Sequence, residues 1–173
     1  MFKRIVMFSG LALVLTSATV QAQSATAAVS IQIAPVLAIS STGAFVFPVV
    51  SDAEYQAGMV NSTSGPTLTH RGNVPYVITI AAQSGSTFSF TPSAGRTDDD
   101  PLKPVGHLTL TGDFGGTSAS AALGAAGSAN NLWTRNTRGG NIDSDISASL
   151  AINYDNAAAG TYATTVVFTI VAQ

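Results

Sequence analysis

Two histidines are the side chains in this sequence best suited to acid–base chemistry. His70 and His107 are the only histidines, and a neutral imidazole is the usual general base for a serine nucleophile. The sequence contains no Gly-x-Ser-x-Gly nucleophile elbow. We interpret His107 as a strand residue at the beginning of an alternating run, and His70, beside Arg71, as a solvated turn residue. The sequence therefore predicts no catalytic residues, and we expect a protein that is not an enzyme.

Carboxylates offer a second kind of chemistry, because a glycosidase needs two acids at a defined separation. We expect most of the acids to lie in Gly- or Pro-rich turns, where aspartate is normally a turn former. We therefore interpret them as turn residues, although sequence alone leaves open which two could meet in space. The acids are Asp52, Glu54, Asp98, Asp99, Asp100, Asp113, Asp143, Asp145 and Asp155.

Two acidic segments could supply oxygen ligands to a cation. Asp98 to Asp100 is a dense anionic cluster, and Asn141 to Asp145 places an oxygen-bearing side chain at every second residue. Neither segment has the Gly and terminal Glu of an EF-hand loop. We do not expect a zinc site, because the sequence has no cysteine. We interpret both segments as solvated acidic turns and expect no metal and no cofactor, while ion binding at either segment stays open.

Trp133 is the only tryptophan and allows two interpretations. An exposed tryptophan in a secreted β-domain stacks on sugar rings, whereas a buried one fills the core. We favour the core interpretation. The sugar-stacking interpretation, together with the acidic segments, motivates an alternative function as a secreted carbohydrate- or calcium-binding β-sandwich module.

The first 22 residues are predicted to form a cleaved signal peptide. Lys3 and Arg4 precede an apolar stretch from Ile5 to Val20, and Ala22 provides the small residue before a cleavage point. The stretch is too short and too rich in hydroxyl residues for a retained membrane anchor. We therefore expect a mature chain from residue 23 to residue 173, a single domain, in the periplasm or at the cell surface.

Charge and cysteine content narrow the classes of partner. Lys3 and Arg4 are two of the seven positive residues, so the mature chain keeps five against nine acids. This mildly acidic balance gives no electrostatic basis for binding nucleic acid or an anionic membrane surface. No cysteine is present, so packing and sheet hydrogen bonds must stabilise the domain without disulfides.

Short runs that alternate apolar and polar residues indicate an all-β fold of about seven to nine strands, a sandwich or a barrel. Turn residues rich in Gly, Asn and Ser separate the runs, and no long helical pattern occurs. We expect Ser51 to Thr63 to be a long connection and Thr117 to Asn131 to be a loop. The apolar positions of the predicted strands include Val29, Ile31, Ile33, Val74, Tyr76, Ile78, Ile80, Phe88, Phe90, Leu108, Leu110, Ile146, Ala148, Leu150, Ile152, Tyr154, Tyr162, Val166, Phe168 and Ile170.

Three segments of the mature chain are distinctive: Ala25 to Ser40 (ATAAVSIQIAPVLAIS), Phe45 to Pro48 (FVFP) and Ile146 to Gln173, which ends in TYATTVVFTIVAQ. In these segments the chain resembles bacterial exported pilin-like surface proteins, the group that is similar to fimbrial subunits and spore coat protein U. The resemblance implies an immunoglobulin-like antiparallel sandwich with a structural or adhesive role. Independently, the alternating strand after the cleavage point suits addition to an open sheet of a like subunit or another surface protein, or pairing within its own domain.

Overall fold

The computed structural model describes residues 28–95 and 101–173. Within them the chain forms eleven β-strands, one short helix and one 3₁₀ turn at Val105–His107. The strands are β1 (Leu37–Thr42), β2 (Met59–Asn61), β3 (Thr67–Gly72), β4 (Tyr76–Ala82), β5 (Ser89–Pro92), β6 (Leu108–Asp113), β7 (Ser118–Ala122), β8 (Asn130–Arg135), β9 (Gly139–Ala151), β10 (Gly160–Ala163) and β11 (Val166–Ala172), and the helix is α1 (Asp52–Ala57).

The strands form an antiparallel β-sandwich. One sheet has the order β1-β3-β9-β6-β7, with β2 paired to one end of the long strand β9. The second sheet has the order β11-β4-β8, and β10 pairs with β5 in a small separate ribbon. The predicted all-β sandwich is therefore confirmed, with more strands than the sequence indicated.

The core lies between the two sheets and consists of the inward positions of alternating strands. Leu68, Leu110 and Ile146 come from the larger sheet, and Ile78 and Ile80 come from β4 in the smaller one. All five side chains are buried and belong to one apolar cluster. Burial of each such side chain stabilises the fold by about 1.5–3 kcal/mol, which explains how the sandwich forms without disulfides.

The strand predicted at Val29 to Ile33 is not formed. The chain divides into two units, Met1–Ile33 and Ala34–Gln173, and the described part of the first, residues 28–33, has no strand assignment. The side chains of Val29, Ile31 and Ile33 are 84%, 79% and 78% exposed. Alternation shows that a segment suits a sheet, but a strand also needs a hydrogen-bonded partner.

Two connections contain regular structure that the sequence analysis did not predict. The segment Ser51 to Thr63 contains α1 and β2, and the Ser51 N–H donates to the Glu54 carboxylate (2.8 Å) at the beginning of the helix. The expected loop from Thr117 to Asn131 contains β7, which pairs with β6, and the first residues of β8. Alanine and serine have weak strand propensity, so pairing with β6 rather than local preference makes β7 a strand.

Some predictions fall on residues that the structure does not describe. The signal peptide, residues 1–22, and the Asp98–Asp100 cluster lie outside the described residues. None of the described helices is long and apolar enough to span a membrane.

Candidate functional site

The candidate site is a groove between two edge strands, β1 and β11. Among the described residues, β1 hydrogen-bonds only to β3, and β11 only to β4, so each ends its sheet. The two strands are in contact but are not paired with each other. We call the depression between them the edge groove. It encloses about 440 Å³ and is lined by Ile39, Ser40, Ser41, Gly43, Ala44, Phe45, Pro66, Leu68, Thr164, Thr165, Val166 and Phe168.

The floor of the edge groove is the border of the apolar core. Ile39, Phe45, Val166 and Phe168 pack against the core cluster but remain partly exposed. By contrast, Ile80, the register partner of Phe168 on β4, is fully buried. The apolar core is therefore fully buried at the centre of the sandwich and partly exposed to solvent along this edge.

The backbone of the two edges suits recognition of an extended chain. A strand at the end of a sheet presents N–H and C=O groups on its outer side, which form a template for another strand. Neither β1 (LAISST) nor β11 (VVFTIVA) contains a charged residue. Lysine and proline are the usual devices that prevent edge pairing, and these two strands lack both.

The chain carries a segment whose pattern matches this groove. Val29, Ile31 and Ile33 alternate with Ser30 and Gln32. In an extended conformation the three apolar side chains would lie on one face, because successive side chains of a strand point to opposite faces. All three are exposed. We call residues 28–33 the N-terminal segment.

A serine–histidine contact does exist, but it lies in the core. His70 is fully buried, contrary to its interpretation as a solvated turn residue. Its Nε2 lies 3.1 Å from the Ser144 hydroxyl, and its Nδ1 lies 2.7 Å from the Tyr76 hydroxyl. Ser144 and Tyr76 are also 0% exposed, so no substrate reaches this serine. The group is a buried hydrogen-bond network rather than a nucleophilic site.

Burial also controls the charge of this histidine. Desolvation, and to a smaller extent the positive charge of Arg135, lower the pKa of His70 from 6.5 to about 4, although the negative charge of Asp143 acts in the opposite direction. Arg135 donates to the Tyr76 hydroxyl (3.2 Å), so it belongs to the same network. His70 is therefore neutral at neutral pH and stabilises the core by hydrogen bonding.

His107 lies in the 3₁₀ turn that immediately precedes β6, rather than in the strand itself. Its Nδ1 atom is buried, and among the described residues it has no hydrogen-bond partner. His107 does not line the edge groove.

Lys103 is a second buried ionisable group. It is 1% exposed, and its ammonium donates to the carbonyl oxygen of Ala151 (2.7 Å) and to Asn156 Oδ1 (3.1 Å). Desolvation lowers the pKa of Lys103. Asn156 Oδ1 also accepts from the Asn153 N–H at 3.0 Å, so this lysine connects β9 to the loop that follows it.

The acidic segment Asn141 to Asp145 is part of β9 and not a turn. Asp143 accepts a hydrogen bond from the Thr69 hydroxyl (2.6 Å), and Asp145 accepts one from the Thr67 hydroxyl (2.6 Å). These cross-strand contacts fix the carboxylates on the outer face of the sheet. Within residues 28–95 and 101–173, no group of three or more His, Asp or Glu side chains is placed to hold a metal.

Trp133 packs against the core cluster but remains partly exposed, so the favoured interpretation of a buried core tryptophan is only partly met. Its ring stacks on Phe114 with centroids 4.9 Å apart and an interplanar angle of 9°, and it makes an edge contact with His70. The stack with Phe114 covers one face of this ring.

Comparisons with known proteins give no assignment for this chain. Neither the models of known protein families nor the curated proteins contain a match to the sequence. The function must therefore be argued from the edge groove and the residues around it.

Proposed function

We propose that this protein is an exported, non-catalytic structural or adhesive subunit of the cell surface that acts through protein contacts. In this proposal, the N-terminal segment of one copy adds as a strand to the edge groove of a second copy. The observation that carries the proposal is the pair of adjacent, uncharged and mutually unpaired edges of β1 and β11. The same chain carries an exposed segment of matching pattern.

The chemistry of the groove supports this occupant over a small polar ligand. Partly exposed Ile39, Val166 and Phe168 offer an apolar floor, and the edges offer main-chain hydrogen bonds. In strand addition, main-chain bonds supply affinity and alternate side chains supply specificity. Burial of Val29, Ile31 and Ile33 would contribute about 1.5–3 kcal/mol each before the cost of ordering the segment.

The alternative function, a secreted carbohydrate- or calcium-binding module, has less support. Trp133 stacks on Phe114 against the core cluster, and Asp143 and Asp145 are hydrogen-bonded to threonines on the neighbouring strand. The Asp98–Asp100 cluster lies outside the described residues.

A peptide of residues 28–36 tests the proposal directly. Mature protein from residue 23 to residue 173 would be fractionated by size-exclusion chromatography with light scattering, with and without the peptide. We expect oligomers in the absence of peptide and their suppression by excess peptide, which also raises the melting temperature of the capped monomer, since a ligand bound only by the folded state stabilises it. The same peptide with aspartate in place of Ile31 is the control. A protein that stays monomeric at all concentrations and ignores the peptide would contradict the proposal.

A further inference from the structure

Asn73 holds the chain on both sides of Pro35. Its side-chain Nδ2 donates to the carbonyl oxygen of Ala34 (2.9 Å), and its Oδ1 accepts from the Val36 N–H (2.6 Å). The Asn73 N–H in turn donates to the Val36 carbonyl oxygen (3.1 Å). We call these three hydrogen bonds the Asn73 clamp.

The clamp continues the pairing of β1 with β3 beyond its last register pair. That pair is Leu37 with Gly72, and Asn73 and Val36 are the next residues on each strand. Pro35 adds its own constraint, because its ring fixes φ near −65°. Ala34 to Val36 are thus held in one backbone conformation at the point where the N-terminal segment joins the sandwich.

This conformation matters because, under the proposed function, the N-terminal segment of the same molecule would compete with that of a second copy for the edge groove. If the chain reversed direction around Pro35, the N-terminal segment would run back along the outer edge of β1 and offer Ile31 and Ile33 to the groove of its own molecule. A short connection gives such an intramolecular segment a high effective concentration. The two side-chain hydrogen bonds of the Asn73 clamp hold the Ala34 carbonyl oxygen and the Val36 N–H in place, and they oppose movement of the backbone on either side of Pro35.

We infer that Asn73 is a positioning residue that reserves the edge groove for a second copy by opposing self-insertion of the N-terminal segment. This inference rests on the proposed function, since it concerns occupancy of the same groove. According to this inference, the exposed Asn73 side chain favours assembly over a monomer whose edge groove is filled by its own N-terminal segment.

The test compares Asn73→Ala with Asn131→Ala, which removes an exposed asparagine from β8 and serves as the matched control. Monomers of each variant would be isolated by size exclusion, and hydrogen exchange would be followed in peptides covering residues 28–34 and β1. In Asn73→Ala we expect exchange of both peptides to slow by about tenfold or more, as the segment becomes paired. Assembly of the same variant should fall by about fivefold or more, because self-inserted monomers have lost the free edge.

Asn73→Asp provides a second variant in case alanine impairs folding. Aspartate keeps the acceptor for the Val36 N–H and loses the donor to Ala34, so an intermediate effect is expected. Asn73→Ala monomers that exchange and assemble as the wild type does would overturn the inference, as would slow exchange of residues 28–34 already present in wild-type monomers. Failure of the wild type to assemble would instead count against the proposed function, and the monomer exchange comparison would still test the Asn73 clamp.

Discussion

His70 Nδ1 and the Tyr76 hydroxyl lie 2.7 Å apart in the interior of the sandwich, and both residues are 0% exposed. The contact joins β3 to β4, which belong to different sheets. A polar bridge between the two layers fixes their relative position in a way that apolar contacts alone do not. It also makes the stability of the domain depend on the protonation of one imidazole.

We predict that the domain loses stability as the pH falls from about 6.5 to about 4. The pKa of His70 is lowered from 6.5 to about 4 in the folded state, so in this range the unfolded state binds a proton that the folded state does not. The stabilisation that neutral His70 gives to the folded state is fully present above pH 6.5. Below pH 6.5 the free energy of unfolding decreases by up to about 3 kcal/mol. Thermal melts from pH 7.5 to pH 4 would measure the loss.

The controls for this prediction are His70→Gln and His107→Gln. The first should flatten the dependence on pH, whereas the second should leave the His70 contribution in place. If the melting temperature of His70→Gln depended on pH as steeply as that of the wild type, the effect would belong to other groups. In that case, an NMR titration of the wild-type protein would show no lowered pKa for the His70 ring.

Ile31→Asp in the N-terminal segment should reduce assembly by about tenfold or more, because it places a charge in an apolar groove. Gln32→Asp adds the same charge one residue further on, where an inserted strand would face solvent. Its assembly should be close to that of the wild type. Sedimentation velocity of the two variants at equal concentration measures the difference. Equal assembly of both variants would exclude insertion of the N-terminal segment into the edge groove as a β-strand.

Gly72→Ala should destabilise the domain by about 1–3 kcal/mol. An added Cβ would lie 2.7 Å from Leu37 Cδ2 and 2.8 Å from Tyr76 Cδ1, both in packed surroundings. Gly140→Ala is the matched control, since nothing lies within 4 Å of its added Cβ. Urea denaturation of both variants checks this prediction, which requires a lower midpoint for Gly72→Ala alone.

Asn156→Ala should destabilise the domain by about 1–3 kcal/mol, because it removes an acceptor from the buried Lys103 ammonium. The exposed Asn61 on β2 provides the control, and Asn61→Ala should change stability by less than about 0.5 kcal/mol. Equal unfolding midpoints for the two variants would show that Lys103 does not depend on this contact.

Strand periodicity predicted much of the fold. On β11 the apolar positions Val166, Phe168 and Ile170 are more buried than Thr169 and than Thr165, which directly precedes the strand, as the alternation indicates. On β9 the pattern is correct for Ile146 and Ala148, which are buried. The strand stops at Ala151, so Ile152 is buried outside it and Tyr154 is 64% exposed. Tyr154 stacks on Tyr55 from α1 instead, a partner that no local pattern shows.

The sequence predicted the N-terminal segment but not the edge groove of the candidate site. The alternation of Val29, Ile31 and Ile33 identified a segment suited to strand addition. The edge groove depends on which strands end each sheet, and that order follows from long-range pairing of β1 with β3 and of β11 with β4. The burial of His70 was missed for a similar reason, because its partners Tyr76 and Ser144 lie on different strands.

The absence of charge on β1 and β11 has a practical consequence for the cell that makes this chain. Encounters between open edges become more frequent as the concentration rises, and nothing on these two strands distinguishes a productive encounter from an amorphous one. We therefore expect that overproduction increases the amount of precipitated protein before it increases the amount of native protein. A second protein that covers the open edges of β1 and β11 while the chain is dilute would remove this hazard.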